Sequence, residues 1–130
     1  MMHLGNYLVP LLFLAAAQQP LPRVYTYVEQ MPELPGGGGM AAVVSEFQKR
    51  LRVPAVDLRE QVRSRYFIYF EVSPTGMVQH IRLRQSSGSA GIDSALVAAV
   101  RILPRFRPGR QHGCPVTVGL TIPISCLKPQ

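Results

Sequence analysis

The sequence predicts an α+β fold, a two-layer α/β sandwich in which a three-stranded antiparallel sheet carries two helices on one face. Three observations lead to this prediction. Residues 66–72 alternate with a period of two and are rich in aromatic side chains, which is typical of a strand. Residues 92–103 repeat apolar side chains at helical spacing. Residues 116–124 alternate again, so the chain reads strand, strand, helix, strand.

A tight turn joins the first two of these strands. The sequence Ser-Pro-Thr-Gly at 73–76 places proline at the second turn position, which suits its fixed φ, and glycine at the last. The return strand runs over 77–85 and loses strict alternation near Gln79 and His80, which predicts a β-bulge. The first strand is apolar on both faces, so we place it in the middle of the sheet, buried on both sides.

Two amphipathic helices are predicted to form the second layer. The first has a mostly basic face opposite its apolar one and ends at Pro54, and the second ends at Pro104 and leads into the final strand. Apolar faces of this kind pack on a sheet. The predicted apolar faces are Met40, Val44, Phe47 and Leu51 in the first helix, and Ile92, Leu96, Val100 and Leu103 in the second.

The final strand is predicted to lie at an edge of the sheet. Pro115 and Pro123 bracket it and Gly119 lies inside it. Proline cannot donate to a sheet ladder, so it is confined to edges and bulges. Even-numbered residues of this strand are expected to face the helices, whereas Thr117, Gly119 and Thr121 face the other side. An open edge can accept a strand from another protein.

The 130 residues allow one domain, preceded by an N-terminal segment of different character. Residues 1–17 contain no Asp, Glu, Lys or Arg and end in three alanines, small residues that a signal peptidase reads. Their apolar run is shorter than the ~20 residues that span a bilayer. We therefore expect a signal peptide at 1–17, an extended Pro/Gly-rich leader at 18–39, with a short strand or extended arm at 24–28, and the domain at 40–126. An uncleaved inner-membrane anchor, with the domain facing the periplasm, is the alternative.

No residue pattern indicates an enzyme. A set formed by Ser86 or Ser87 with His80 and Asp93 lacks the nucleophile-elbow sequence, and the acidic residues show no spacing that implies a working pair. The four glycines at 36–39 lack the Lys and Ser or Thr that a phosphate-binding loop needs. Neither cysteine has a second ligand at a usual spacing. We therefore expect no catalytic site, no metal and no cofactor.

Several short motifs resemble the C-terminal domain of TonB energy transducers. They are Val-Pro-Ala at 53–55, the turn at 72–78 and Arg-Phe-Arg-Pro-Gly at 105–109 before the last strand. Upstream, residues 28–37 are similar to the lead-in of TonB-like proteins of Bacteroidetes-type bacteria. The resemblance covers about residues 24–126, and the order and spacing of the motifs carry it.

The resemblance implies a periplasmic partner-binding domain. In the family, the domain contacts outer-membrane TonB-dependent receptors, whose short TonB box adds as a strand beside the last strand. It also passes on energy for transport, harvested by an inner-membrane ExbB–ExbD motor. The partner-binding residues implied for this chain are Val53, Pro54, Val116, Thr117, Val118, Gly119, Leu120, Thr121 and Ile122.

This chain departs from the family pattern in two respects. Val53 stands where the family usually has an aromatic residue, and neither a membrane anchor nor a long Pro-rich spacer is recognisable. An alternative function is therefore an exported soluble adaptor or scaffold that uses the same fold to bind another periplasmic protein without motor coupling.

The net charge of +7 leaves two interpretations of the basic surface. The scattered basic residues either attract acidic receptor plugs, anionic lipid or cell-wall polymers, or form an ordinary solvated surface. Nucleic acid is not an expected partner, because the glycine-aromatic signature of an RNA-binding sheet is missing and an exported domain rarely meets it.

Cys114 and Cys126 are the two cysteines and flank the last strand. Twelve residues of extended chain span roughly 40 Å at ~3.3 Å each, whereas a disulfide needs Cα atoms within ~7 Å. A bridge within one chain is therefore not expected unless the strand folds back at Pro123. A homodimer whose last strands pair antiparallel about Leu120, linked by disulfides between Cys114 and Cys126, is an alternative to two free thiols.

Overall fold

A computed structural model describes residues 23–53 and 65–125. These residues form two helices and five strands in a mixed order along the chain. The elements are β1 (Val24–Tyr25), α1 (Gly39–Arg50), β2 (Arg65–Val72), β3 (Val78–Leu83), α2 (Ala90–Arg101), β4 (Gly109–Gln111) and β5 (Cys114–Ser125).

The sheet contains the predicted antiparallel core and two further strands. β2 pairs antiparallel with β3 on one side and with β5 on the other, which confirms its central position. In addition, β1 pairs in parallel with β5 at Thr117 and Val118, and β4 pairs antiparallel with the first residues of β5. The sheet is therefore mixed, with the order β1-β5-β2-β3. Strands of two or three residues are too short to give a periodic signal, so these pairings could not be predicted.

The predicted β-bulge lies at His80. The ladder between β2 and β3 shifts register between Tyr69 and Glu71, so β3 contains one extra residue there. His80 has a φ of 51°, a left-handed backbone conformation that is uncommon outside glycine. The broken alternation in the sequence is thus the trace of an inserted residue.

One hydrophobic core lies between the sheet and both helices. Helix α1 contacts β5 and α2, and α2 contacts β3, so the two helices cover one face of the sheet as predicted. Alternate side chains of the two central strands are buried under them. These strand residues are Tyr66, Ile68, Phe70 and Val72 in β2, and Val118, Leu120, Ile122 and Ile124 in β5.

Two details of the core differ from the prediction. Val43 and Phe47 form the buried face of α1, whereas Met40 is 40% exposed because it lies in the first turn, at the margin of the core. No layer formed by residues 23–53 or 65–125 covers the second face of β2, and Phe67 on that face is 43% exposed. A central strand in a two-layer fold needs a covering layer on one face only, so burial on both faces was the wrong expectation.

Three of the segments that carry the resemblance, the lead-in at 28–37, the turn at 72–78 and the motif at 105–109, meet at one end of the sheet. Gln30 and Glu33 form antiparallel bridges to Arg110 and Arg107. The Phe106 amide donates to the Gly76 carbonyl at 3.0 Å. The segment predicted as a leader also contributes to the core, because Val28 and Leu34 are buried in the same cluster.

Candidate functional site: the outer edge of β5

The edge of β5 that faces away from β2 is the candidate strand-binding site. β2 occupies the inner edge over the whole length from Val118 to Ser125. On the outer edge, β1 is paired with Thr117 and Val118. From Gly119 to Ser125, no strand in the described part of the chain pairs with this outer edge.

The register shows which backbone groups point outward. The Arg84 amide donates to the Phe67 carbonyl at 3.0 Å, so Phe67 turns its polar groups toward β3 and away from β5. Its partner on β5 is Pro123, whose backbone therefore points to the outer edge. By alternation, Gly119 and Thr121 also point outward and each offers an amide and a carbonyl. Pro123 lacks an amide, but at this position the ladder with β2 does not need one.

The lack of a side chain at Gly119 leaves room for the Tyr69 ring on the sheet face opposite the helices. A Cβ atom at this position would lie 2.8 Å from Tyr69 Oη and 2.9 Å from a ring carbon. A substitution at Gly119 would therefore displace Tyr69 as well as alter the edge. Thr121 has the same outward backbone orientation and already carries a side chain, so it is the cleaner position at which to test the edge.

The face of the sheet opposite the helices, which we call the open face, carries a polar cluster around Glu71. Glu71 is only 7% exposed. Tyr69 Oη donates to Glu71 Oε2 at 2.9 Å, and His80 Nδ1 lies 2.8 Å from Oε1. Gln79 Nε2 donates to the same oxygen at 3.4 Å. The bulge turns His80 toward this carboxylate, whereas regular alternation would not have predicted the contact.

These contacts shift the pKa values of Glu71 and Tyr69. Burial alone would raise the pKa of Glu71, but the hydrogen bonds from His80, Tyr69 and Gln79 outweigh it and hold the pKa below its usual value. Burial, and then the hydrogen bond to Glu71, raise the pKa of the Tyr69 phenol. Ionised Glu71 and neutral Tyr69 are therefore the forms that the fold stabilises near neutral pH.

Glu71 is expected to make the domain sensitive to acid. Because its pKa is lower in the folded state, its contribution to stability is present above the unfolded pKa of about 4.3 and is lost as pH falls through the folded value. We expect Glu71→Gln to flatten the decline of the unfolding free energy below about pH 5. Urea titrations from pH 3 to 7 measure this. Glu29→Gln, an exposed carboxylate with the same charge change, is the control, and an identical effect of both variants would contradict the prediction.

Two arginines stack on the Tyr69 ring from β3 and its end. The guanidinium carbon of Arg82 lies 5.0 Å from the ring centroid and that of Arg84 lies 5.7 Å from it. Arg84 also donates to Thr121 Oγ1 at 3.4 Å. The two-residue spacing of Arg82 and Arg84 indicates that both share a face, but no sequence pattern connects them with Tyr69.

The remaining predicted site residues have different positions. Val53 is buried in the core and does not lie on β5. Pro54 and Cys126 lie outside the described residues. Cys114 is exposed and carries a free thiol. A disulfide between chains and the homodimer therefore stay predictions, and so does a binding role for Val53.

Neither a metal cluster nor a membrane-spanning helix is found in the described part of the chain. Within residues 23–53 and 65–125, no three His, Cys, Asp or Glu side chains lie close enough together to hold a metal ion. None of the helices formed by these residues is both long and apolar enough to cross a membrane.

Comparison with known families gives one match. The model of the family described as the Gram-negative bacterial TonB protein C-terminal matches residues 52–125, which is more than half of the chain. The match ends with the last residue of β5 and includes β2, β3, α2 and β4. No curated protein matches the chain at a significant level.

Proposed function

The chain belongs to the family of TonB C-terminal domains, and we propose from this premise that it is a periplasmic energy-transducer domain that binds outer-membrane TonB-dependent receptors by strand addition. The outer edge of β5 from Gly119 to Ser125, with which none of the described strands pairs, is the observation that carries the proposal. The receptor's TonB box would add there as a further strand. An ExbB–ExbD motor in the inner membrane would supply the energy.

The edge is suited to strand addition because it is held in place before a partner arrives. Alternate side chains of β5 are buried under the helices, and its inner edge is paired with β2 from Val118 to Ser125. The seven residues from Gly119 to Ser125 match the usual length of a strand. A preformed edge loses little conformational entropy on binding, so the new main-chain hydrogen bonds contribute directly to affinity.

Replacing Thr121 with proline is expected to weaken peptide binding by at least about tenfold, because it removes an outward amide from the middle of the edge. Thr121→Val is the matched control, since both variants lose the hydroxyl that Arg84 contacts and only proline loses the amide. Isothermal titration with nine-residue peptides from the N-terminal segments of the host's outer-membrane receptors measures the effect, and far-UV circular dichroism checks folding. Unchanged affinity in Thr121→Pro would refute strand addition at this edge.

Export is the second part of the proposal, and it rests on the apolar segment at 1–17, which lies outside the described residues. We expect protein isolated from the native host to begin just after Ala17. Mass spectrometry of its N-terminus tests this. An intact N-terminus recovered in the membrane fraction would show an anchored protein instead.

A further inference from the structure

Arg84 carries positive charge across the open face to β5. It follows the last residue of β3, passes over the Tyr69 ring of β2 and reaches Thr121 of β5, to whose Oγ1 it donates at 3.4 Å. Its guanidinium thus lies beside β5, although the residue itself belongs to the opposite side of the sheet.

This charge is not neutralised by the described residues around it. No described carboxylate lies within ion-pair distance of Arg82 or Arg84. Glu71 is the one acidic residue of β2, β3 and β5, and its two oxygens are engaged by Tyr69, His80 and Gln79. The open face next to the edge is therefore a surface that favours an anionic group.

The position of the guanidinium is supported by a chain of contacts. Glu71 fixes the Tyr69 hydroxyl, and the missing side chain of Gly119 leaves room for the ring. Both arginine side chains lie over the Tyr69 ring, whose π-face attracts their guanidinium cations. Arg84 is thus oriented toward Thr121 before any partner binds, which reduces the cost of ordering it.

We propose that the strand added to β5 carries an aspartate or glutamate directly opposite Thr121, and that Arg84 binds its carboxylate. This inference rests on the proposed function. Residues opposite each other in paired strands project to the same face, with Cβ atoms about 4.5–5.5 Å apart. The guanidinium that contacts Thr121 is therefore within reach of the side chain opposite. The neighbouring positions of the added strand face the helix side, away from Arg84.

The consequence is that Arg84 selects the register and the charge of the partner strand. Complementary charges across an interface mainly provide specificity, and like charges at the same place disfavour wrong partners. A pair that stays partly exposed is modest in strength. We expect an acidic residue opposite Thr121 to improve affinity by about three- to fivefold over its amide counterpart.

Selection of phage-displayed random heptapeptides tests the inference. The baits are the wild type, Arg84→Glu and Arg101→Glu, the last being the same charge change on an exposed residue of α2 in the other layer. We expect the wild type and Arg101→Glu to enrich strand-forming peptides with Asp or Glu at one fixed position. Arg84→Glu should enrich Lys or Arg at that position. Titration of one selected peptide with Asp or Asn there should show the affinity difference on the wild type and its loss on Arg84→Gln.

The outcomes separate the inference from the function on which it rests. If wild-type peptides show no acidic preference, or if Arg84→Glu keeps the same preference, the role of Arg84 is overturned while strand addition stands. If Thr121→Pro binds the selected peptides as tightly as Thr121→Val does, the peptides do not use the edge, and both proposals are overturned. Circular dichroism of each variant confirms that it is folded before selection.

Discussion

Gly76→Ala is expected to destabilise the domain by more than about 3 kcal/mol. Gly76 closes the turn between β2 and β3 with a φ of 86°. A Cβ atom there would lie 2.0 Å from the Phe106 carbonyl oxygen and 3.1 Å from its carbon. Both are backbone atoms, and they cannot move without breaking the hydrogen bond from the Phe106 amide to the Gly76 carbonyl. The clash therefore adds to the strain of a left-handed alanine.

Gly88→Ala separates the two contributions. Gly88 has a similar φ of 91°, but a Cβ atom there would meet nothing within 4 Å. It should cost only the left-handed backbone penalty of about 1–2 kcal/mol. Urea unfolding followed by circular dichroism gives the unfolding free energy of both variants. Equal losses would show that Gly76 is needed for its backbone conformation alone and not for the approach of Phe106.

The contact at Gly76 explains why the turn at 72–78 and the motif at 105–109 occur together. Within the turn at 73–76, the Gly76 carbonyl accepts a hydrogen bond from the Phe106 amide. The Thr75 carbonyl accepts one from Arg105 Nε at 2.9 Å. Residues 30–33 pair in turn with 107–110. These segments do not form the outer edge of β5, but they fix the chain just before β4 and β5. The described part of the family signature is therefore largely structural, and it sets where β5 begins.

The elements that could be predicted from the sequence are those whose apolar side chains recur at a regular spacing. β2, α2 and β5 each bury alternate or helically spaced residues, and the bulge in β3 was visible because it interrupts a period of two. The pairing of β1 with β5 could not be predicted, because two residues carry no period and their partners lie far along the chain. The buried face of α1 was displaced toward Met40 because periodicity alone does not show where the helix meets the core.

The candidate site was predicted in outline only. Pro115 and Pro123 indicated an edge strand, but β5 lies inside the order β1-β5-β2-β3. Only from Gly119 onward is its outer side unpaired by described strands, and there Pro123 points away from the β2 ladder. The partial cover of Thr117 and Val118 by β1 depends on long-range pairing. The contact between His80 and Glu71 depends on which way a bulged residue turns, and that is set by its φ and not by composition.

Phe70→Ala is expected to cost about 3–5 kcal/mol of unfolding free energy. Phe70 is fully buried in the middle of β2. Its ring centroid lies 5.9 Å from that of Phe106 in a tilted arrangement, which adds to the contribution of burial alone. The truncation leaves a cavity between the central strand and the segment that leads into β4. Because the surrounding core is fixed by two helices, we expect little collapse around it.

Phe67→Ala on the same strand is the matched control. Phe67 lies on the open face and is 43% exposed, so its truncation should cost less than about 1 kcal/mol. Urea unfolding of both variants, followed by circular dichroism, gives the comparison. A loss at Phe67 equal to that at Phe70 would mean that the open face is packed against another segment. It would then contradict the free surface on which the role of Arg84 depends, since Phe67 and Arg84 are paired across β2 and the end of β3.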